Sequence, residues 1–237
     1  MSEFDDAVVV VTGAAGNLGS AVAQAFAARG AHLALLDRNV EGMHQAIDAC
    51  SGQASAKVFQ TDLIDASAVD DSIDHILKAF QRIDVLANIA GGFMMGPLIQ
   101  ETEDRDWDLM MDLNVRSVFH TCRRVIPAML DNGGGRIINV SARAAEHGKG
   151  RMGPYCASKA AVLTLTQSLA AENKFHNINV NCILPGTIDT PQNRQDMADA
   201  DFSHWVPPAA LADVVLFLAS NAARCVTGAA VPVYGQS

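Results

Sequence analysis

The chain has 237 residues, 49% hydrophobic and 18% charged, so it can bury a substantial core, which excludes wholesale disorder. Lysine and arginine number 17 against 26 aspartates and glutamates, a net charge of −9 that repels phosphate backbones, and aromatics are only 5%, so nucleic acid is not the expected partner.

Short apolar runs alternate with segments of helical period. Residues 8–11 read as a buried strand and 18–29 as a helix with Leu18, Val22, Ala25, Phe26 and Arg29 on one face. A strand at 32–36, a helix at 40–50, a strand at 56–59, a helix at 65–80 and a strand at 85–88 follow. A long helix is expected over 104–130, with Pro127 a possible point of bending. Then come a strand at 136–140, a helix at 153–173, a strand at 179–183, a helix at 208–219 and a short strand at 231–233. This alternation implies βαβ units and an α/β fold: a single doubly wound parallel sheet, Rossmann-like, with helices on both faces. No repeat or linker divides the chain, so residues 1–237 are expected to form one domain. The proline-bearing segment 185–207 lacks an evident element and is expected to be a loop bordering the substrate.

The five cysteines (Cys50, Cys122, Cys156, Cys182 and Cys225) are odd in number and form no metal knuckle or redox pair. The acidic start does not resemble a signal peptide, and the apolar run at 7–11 is too short for a membrane span. A cytoplasmic protein with reduced thiols, no metal and no membrane partner is expected. The seven histidines are scattered without ligand spacing, and His147 reads as a solvated loop residue.

Between the first strand and the first helix lies T-G-x-x-G-x-x-G, with Gly13, Gly16, Asn17, Leu18 and Gly19. Small residues there let backbone approach a pyrophosphate, which the helix N-terminus attracts with unpaired N–H groups. Asp37, at the end of the second strand, suits both hydroxyls of an adenosine ribose and repels a 2′-phosphate, predicting NAD(H) over NADP(H). Arg38 beside it is the group able to pair with such a phosphate instead. Asp62, followed by Leu63, ends the third strand, where an adenine edge would lie.

Tyr155 and Lys159 stand four apart on one helix face. A nearby ammonium favours a phenolate and is expected to lower the tyrosine's pKa, so the pair can act as acid in reduction and base in oxidation.

With the glycine turn, Asp62, Asn88-Ile-Ala-Gly91, Asn114, Tyr155 with Lys159, and Pro185-Gly186 with Thr190 in this order, nearly the whole chain resembles a short-chain dehydrogenase/reductase. The resemblance implies that Tyr155 moves the proton, Lys159 holds the nicotinamide ribose, and Asn114 supports a water-linked relay. It implies that Asn88, Ala90 and Gly91 line the cofactor groove and that Pro185, Gly186 and Thr187 meet the carboxamide end. It also implies a homotetramer or homodimer acting on a small molecule.

Two positions depart from that pattern. Short members usually carry Gly where Asn17 stands; asparagine tolerates positive φ, so the turn survives, and Asn17 is counted among the cofactor contacts. The family's catalytic serine position holds Ala142, and Ser141 precedes it. Neighbouring strand residues face opposite sides, so Ser141 is not expected to substitute. Dihydropteridine reductases share this alanine, and the 189–205 segment resembles theirs, whereas the glycine turn and the C-terminus are more like ordinary reductases of bacterial type. The expected substrate is a carbonyl or alcohol; a quinonoid or C=N acceptor and an NAD(H)-binding sensor with little catalysis are the alternatives. Phe93, Met94 and Met95 suit either a pocket wall or an oligomer contact, and Trp205 either a lid over a flat substrate or an anchor for its loop.

Overall fold

The computed structural model describes residues 3–50 and 55–236. Seven strands form one parallel sheet: β1 (Val8–Thr12), β2 (His32–Asp37), β3 (Ala56–Gln60), β4 (Val85–Asn88), β5 (Gly135–Val140), β6 (Ile178–Pro185) and β7 (Ala230–Val233). Their order is β3-β2-β1-β4-β5-β6-β7, so the winding reverses between β1 and β4 and opens a crevice at the carboxyl ends of those strands.

Alternation along each strand divides the core. Val9 and Val11 with Leu33 and Leu35 pack against α1 (Asn17–Ala27), α2 (Val40–Asp48) and α8 (Pro208–Ala219). Val10 with Ala34 and Leu36 packs on the other face, against α3 (Ala66–Phe80), α5 (Ser117–Asp131) and α6 (Gly153–Asn173). Every residue of β1 is buried because both faces are covered. Local signals fix helix starts: the Asp65 carboxylate accepts from Ser67 N and Ala68 N to cap α3, and Asn39 Oδ1 accepts from Gly42 N to cap α2. No helix among the described residues is long and apolar enough to cross a membrane.

Two expectations are corrected. The single helix over 104–130 is α4 (Asp104–Met111) and α5 joined through a wider π turn, Asp112–Arg116. The irregularity falls there, whereas Pro127 sits inside α5, which runs on to Asp131. The 185–207 segment holds α7 (Pro191–Asp196), capped by Thr190 Oγ1 accepting from Asn193 N, and a 3₁₀ turn at Phe202–His204. Pro191 and Pro208 open helices, where a missing N–H costs nothing, and do not mark irregular chain. The segment is stitched to the sheet end by Val206 N donating to Thr187 O at 2.8 Å and Asp189 N to Val206 O at 2.9 Å. Trp205 is buried against Phe202, the geometry of an anchor.

Candidate active site

The crevice, about 280 Å³, is lined by the glycine turn and the ends of β2, β3 and β4, including Asp37, Asp62, Leu63, Ala90 and Gly91. Gly13 has φ +64°, and a Cβ there would stand 2.7 Å from Ala90 Cα, so only glycine lets the ends of β1 and β4 close up. Thr12 Oγ1 holds that approach by accepting from Ile89 N and Ala90 N, both at 3.1 Å. A Cβ on Gly19 would meet Gly13 O at 2.1 Å, which keeps the first turn of α1 tight against the loop. Gly16 is the extended residue before α1, and Asn17 is the first helical residue, exposed and without the positive φ its tolerance had suggested. Leu18, next to it, is buried and lines the crevice.

Asp37 ties this loop to β2: its carboxylate accepts from Ala15 N at 3.1 Å and Asn39 N at 3.0 Å. A carboxylate has about four acceptor positions, so capacity remains for hydroxyl donors in the crevice. Leu63 is fixed from beneath by buried His120, whose Nδ1–H donates to Leu63 O at 3.1 Å. Sequence reading counted His120 only among the scattered histidines; on α5 it is buried beside Val118, Thr121 and Cys122.

Asn88 does not face the crevice. It is 2% exposed, and its amide is occupied: Oδ1 accepts from Thr121 Oγ1 at 2.8 Å and Nδ2 donates to Asn139 Oδ1 at 2.9 Å. Asn139 Nδ2 continues to Thr166 Oγ1 at 2.9 Å, so a buried polar chain braces β4 and β5 against α5 and α6. Its reading as a cofactor contact becomes that of a brace, because both faces of a central strand are buried.

Tyr155 stands in the first turn of α6, with Lys159 one turn on. Lys159 is buried, and its Nζ donates to Val140 O at 3.0 Å. Asn114, on the π turn, clasps Gly92 with both ends of its amide, Oδ1 accepting from Gly92 N at 2.9 Å and Nδ2 donating to Gly92 O at 3.0 Å. Nδ2 also donates to Ser158 Oγ at 3.0 Å, and Ser158 Oγ donates to Tyr155 O at 2.8 Å. Ser158 is the second residue that sequence reading missed. A Cβ on Gly91 would stand 2.7 Å from Asn114 Oδ1 and 3.0 Å from Lys159 Nζ, so the loop after β4, the π turn and α6 converge there. Pro185, Gly186 and Thr187 lie at the carboxyl end of β6, with Gly186 N donating to Val233 O.

Burial governs both titrating groups. It pushes the Tyr155 phenol up to about 12, helped slightly by Cys156, and the Lys159 ammonium down to about 8. The expected lowering of the tyrosine's pKa by Lys159 is not seen: burial sets its direction, and the ammonium is directed to a backbone carbonyl.

Ser141 Oγ donates to Lys159 O at 2.7 Å, and its backbone N donates to Ile183 O, extending the β5–β6 pairing. Its hydroxyl is thus committed to the helix backbone. Ala142 faces the other way, clustered with Ala144 and Cys156, and Met152 and Tyr155 pack on that cluster. His147 is exposed. A larger cavity of about 460 Å³ opens at the opposite, amino end of the sheet, around residues 3–7 and 133–136. Asp84 and Arg82 there engage each other, and none of the residues above borders it. Among the described residues no three His, Cys, Asp or Glu are grouped to hold a metal ion.

This arrangement has counterparts. A family profile described as short chain dehydrogenase matches residues 7–201. The D-threitol dehydrogenase of Mycolicibacterium smegmatis is 33% identical, covering 98% of this chain and 93% of its own length. Among solved structures, an NAD+-bound xylitol dehydrogenase superposes with a TM-score of 0.90 at 27% identity, covering 98% of this chain and 99% of the other. Carveol dehydrogenase from Mycobacterium avium in complex with NAD superposes with a TM-score of 0.91 at 26% identity, covering 99% and 98%. The doubly wound sheet, the glycine crevice and the similarity along almost the entire length agree, and the chain belongs to the short-chain dehydrogenase/reductase family of oxidoreductases.

Proposed function

We propose that this chain is an NAD(H)-dependent dehydrogenase/reductase acting on a small carbonyl or alcohol substrate, with Tyr155 moving the proton. The observation that carries this reading is the meeting of Lys159 and Asn114 at Gly91, at the mouth of a glycine-floored crevice, with Tyr155 one turn before Lys159 on α6. The crevice fits a dinucleotide: at Gly13 and Gly91 any side chain would fill space that the loop needs. Gly13, Gly16, Leu18 and Gly19 would hold the pyrophosphate, with Asn17 opening the helix beside it. Asp37 would take the adenosine ribose, favouring NAD over NADP. Asp62 and Leu63 would border the adenine, Ala90 and Gly91 the central groove, and Pro185, Gly186 and Thr187 the carboxamide. The NAD complexes of the xylitol and carveol dehydrogenases support this assignment.

When bound, the nicotinamide supplies the hydride acceptor or donor. Tyr155, neutral across the physiological range, gives its proton to the substrate oxygen in reduction; in oxidation it takes the substrate's proton as the phenolate, its own having first passed to solvent. Lys159, protonated at neutral pH, would meet the nicotinamide ribose, and Asn114 would steady the proton path while fixing the loop at Gly92. The segment 185–207 would close the substrate side. Assembly as a homodimer or homotetramer is part of this reading, supported by the exposed Trp107, Leu109 and Phe119 on α4 and α5. A cytoplasmic setting is part of it too.

A second reading rests on Ala142. Without a hydroxyl there, a delocalised quinonoid or C=N acceptor, which needs less oxyanion stabilisation, is the alternative substrate. The test is oxidation of NADH and NADPH against ketones, imines and quinonoid dihydropterin, with Tyr155→Phe in parallel. Turnover of ketones with NADH, reduced by about a hundredfold or more in the variant, supports the proposal. Turnover of the quinonoid substrate alone selects the alternative. NADH binding without turnover of any acceptor leaves a nucleotide-binding sensor, and preference for NADPH rejects the role given to Asp37.

A further inference from the structure

We infer that the substrate carries its reacting carbon in or beside a compact apolar ring, as in a cyclic or benzylic secondary alcohol and its ketone. This rests on the carbonyl/alcohol reading and narrows it.

The inference comes from what touches the tyrosine. The Phe93 ring meets Tyr155 edge-to-face, with centroids 5.0 Å apart and planes at 88°. Phe93 is nevertheless 57% exposed, so much of its apolar surface stays open beside the phenol. On another side Tyr155 rests on Ala142, Ala144 and Cys156 together with Met152. Methyl, thiol and thioether groups thus occupy the surroundings where the family's serine would place a hydroxyl. Met95, Leu98 and Ile99, further along the same stretch of chain, are exposed as well.

These walls are held in place. Gly96 N donates to Arg151 O at 2.8 Å, and Arg151 Nε donates back to Gly96 O at 3.3 Å. Arg151 holds φ at +63°, an uncommon conformation for a residue with a side chain, so the two loops meet in a defined geometry and do not merely rest on each other. Asn114 secures the start of the same loop at Gly92.

With Ala142, the substrate oxygen has Tyr155 as its donor on this side and lacks the hydroxyl that would orient it a second time. Orientation must then come from shape. A ring laid against Phe93 and Met152 buries apolar surface and is positioned by it. An open-chain polyol would press further hydroxyls against the same groups, and each loses water without gaining a partner. In oxidation, the Tyr155 phenol first gives its own proton to solvent; the carbinol C–H then leaves as hydride with both electrons to the nicotinamide, the O–H proton passes to the Tyr155 phenolate, and the C=O bond forms. The alcohol is oxidised by two electrons and the dinucleotide reduced by two.

The experiment compares kcat/KM with NAD for cyclohexanol and 1-indanol against glycerol and threitol, in the wild type and Phe93→Ala. Calorimetric binding of cyclohexanone to the NADH complex is measured alongside. Ring alcohols are expected to lead by about a hundredfold. Phe93→Ala should lower their kcat/KM about tenfold, mainly through KM, and weaken ketone binding in parallel. Phe93 is exposed, so the variant should fold. Polyol turnover equal to or above that of the ring alcohols overturns the inference and leaves the proposed function standing. Unaltered ring kinetics and binding in Phe93→Ala also overturn it. Silence on both classes with no ketone binding overturns this inference and the carbonyl/alcohol reading together.

Discussion

Lys159 makes a prediction with a definite sign. Its ammonium is buried and its pKa is lowered from 10.5 to about 8, so the unfolded chain binds the proton more tightly than the native one. At about 1.4 kcal/mol per tenfold, keeping the charge inside the fold at pH 7 costs about 3 kcal/mol. That cost is relieved as pH rises from the folded pKa toward the unfolded one. Integrating the difference in bound protons gives about 2 kcal/mol of added stability between pH 7 and pH 9.5. Tyr155 acts in the opposite sense: its raised pKa stabilises the fold below 10, and that contribution is lost as pH climbs toward about 12, above this window. Lys159→Met removes the titration with little change in volume while leaving Val140 O without its donor. Urea unfolding at one protein concentration should show the wild type gaining about 2 kcal/mol relative to Lys159→Met between the two pH values. Equal pH dependence in the two proteins would refute burial as the dominant force on this group.

Asp37→Ala should shift the kcat/KM ratio toward NADPH by about tenfold or more, and lower stability by about 1 kcal/mol through the lost contacts to Ala15 N and Asn39 N; steady-state kinetics and a urea titration check both. Ala142→Ser should place a hydroxyl beside Tyr155 and raise kcat/KM for an isolated ketone by about tenfold, and an unchanged or lower value would argue that the pocket does not need a second donor. Gly91→Ala should cost about 1–3 kcal/mol and most of the turnover, because the added methyl stands 2.7 Å from Asn114 Oδ1 and 3.0 Å from Lys159 Nζ. A denaturation midpoint and an NADH titration separate the two losses.

What could be read in the sequence follows from what is repeated or local. The strands were legible because β1, β4, β5 and β6 are buried on both faces and therefore appear as short apolar runs. The glycine turn was legible because its chemistry sits in one stretch of chain, and Tyr155 with Lys159 because helix geometry fixes what four residues apart means. Asn88 was misread because in a strand covered on both sides neither direction is marked as functional. Only the partners Thr121, Asn139 and Thr166, far apart in sequence, turn its amide inward. The π turn was hidden for a related reason. Ser117 N–H reaching Asp112 O admits one extra residue per turn, and what fixes Asn114 there is its clasp on Gly92, a contact 22 residues away.

Ala142 joins these two kinds of legibility. Strand alternation alone said that Ser141 faces away from the tyrosine, and the structure adds where its hydroxyl goes, onto Lys159 O in the helix that carries Tyr155. Rotating Ser141 toward the substrate would break its hydrogen bond to that carbonyl, which costs about 0.5–1.5 kcal/mol. It would also unsettle the turn between the tyrosine and the lysine. The neighbouring serine is therefore structural and cannot stand in for the missing one. On the proposed reading Tyr155 is the proton donor, and the walls around Phe93 and Met152 hold the substrate. On that reading, a family pattern missing one member becomes a proposal about shape, in which orientation of the substrate falls to one hydroxyl and an apolar surface.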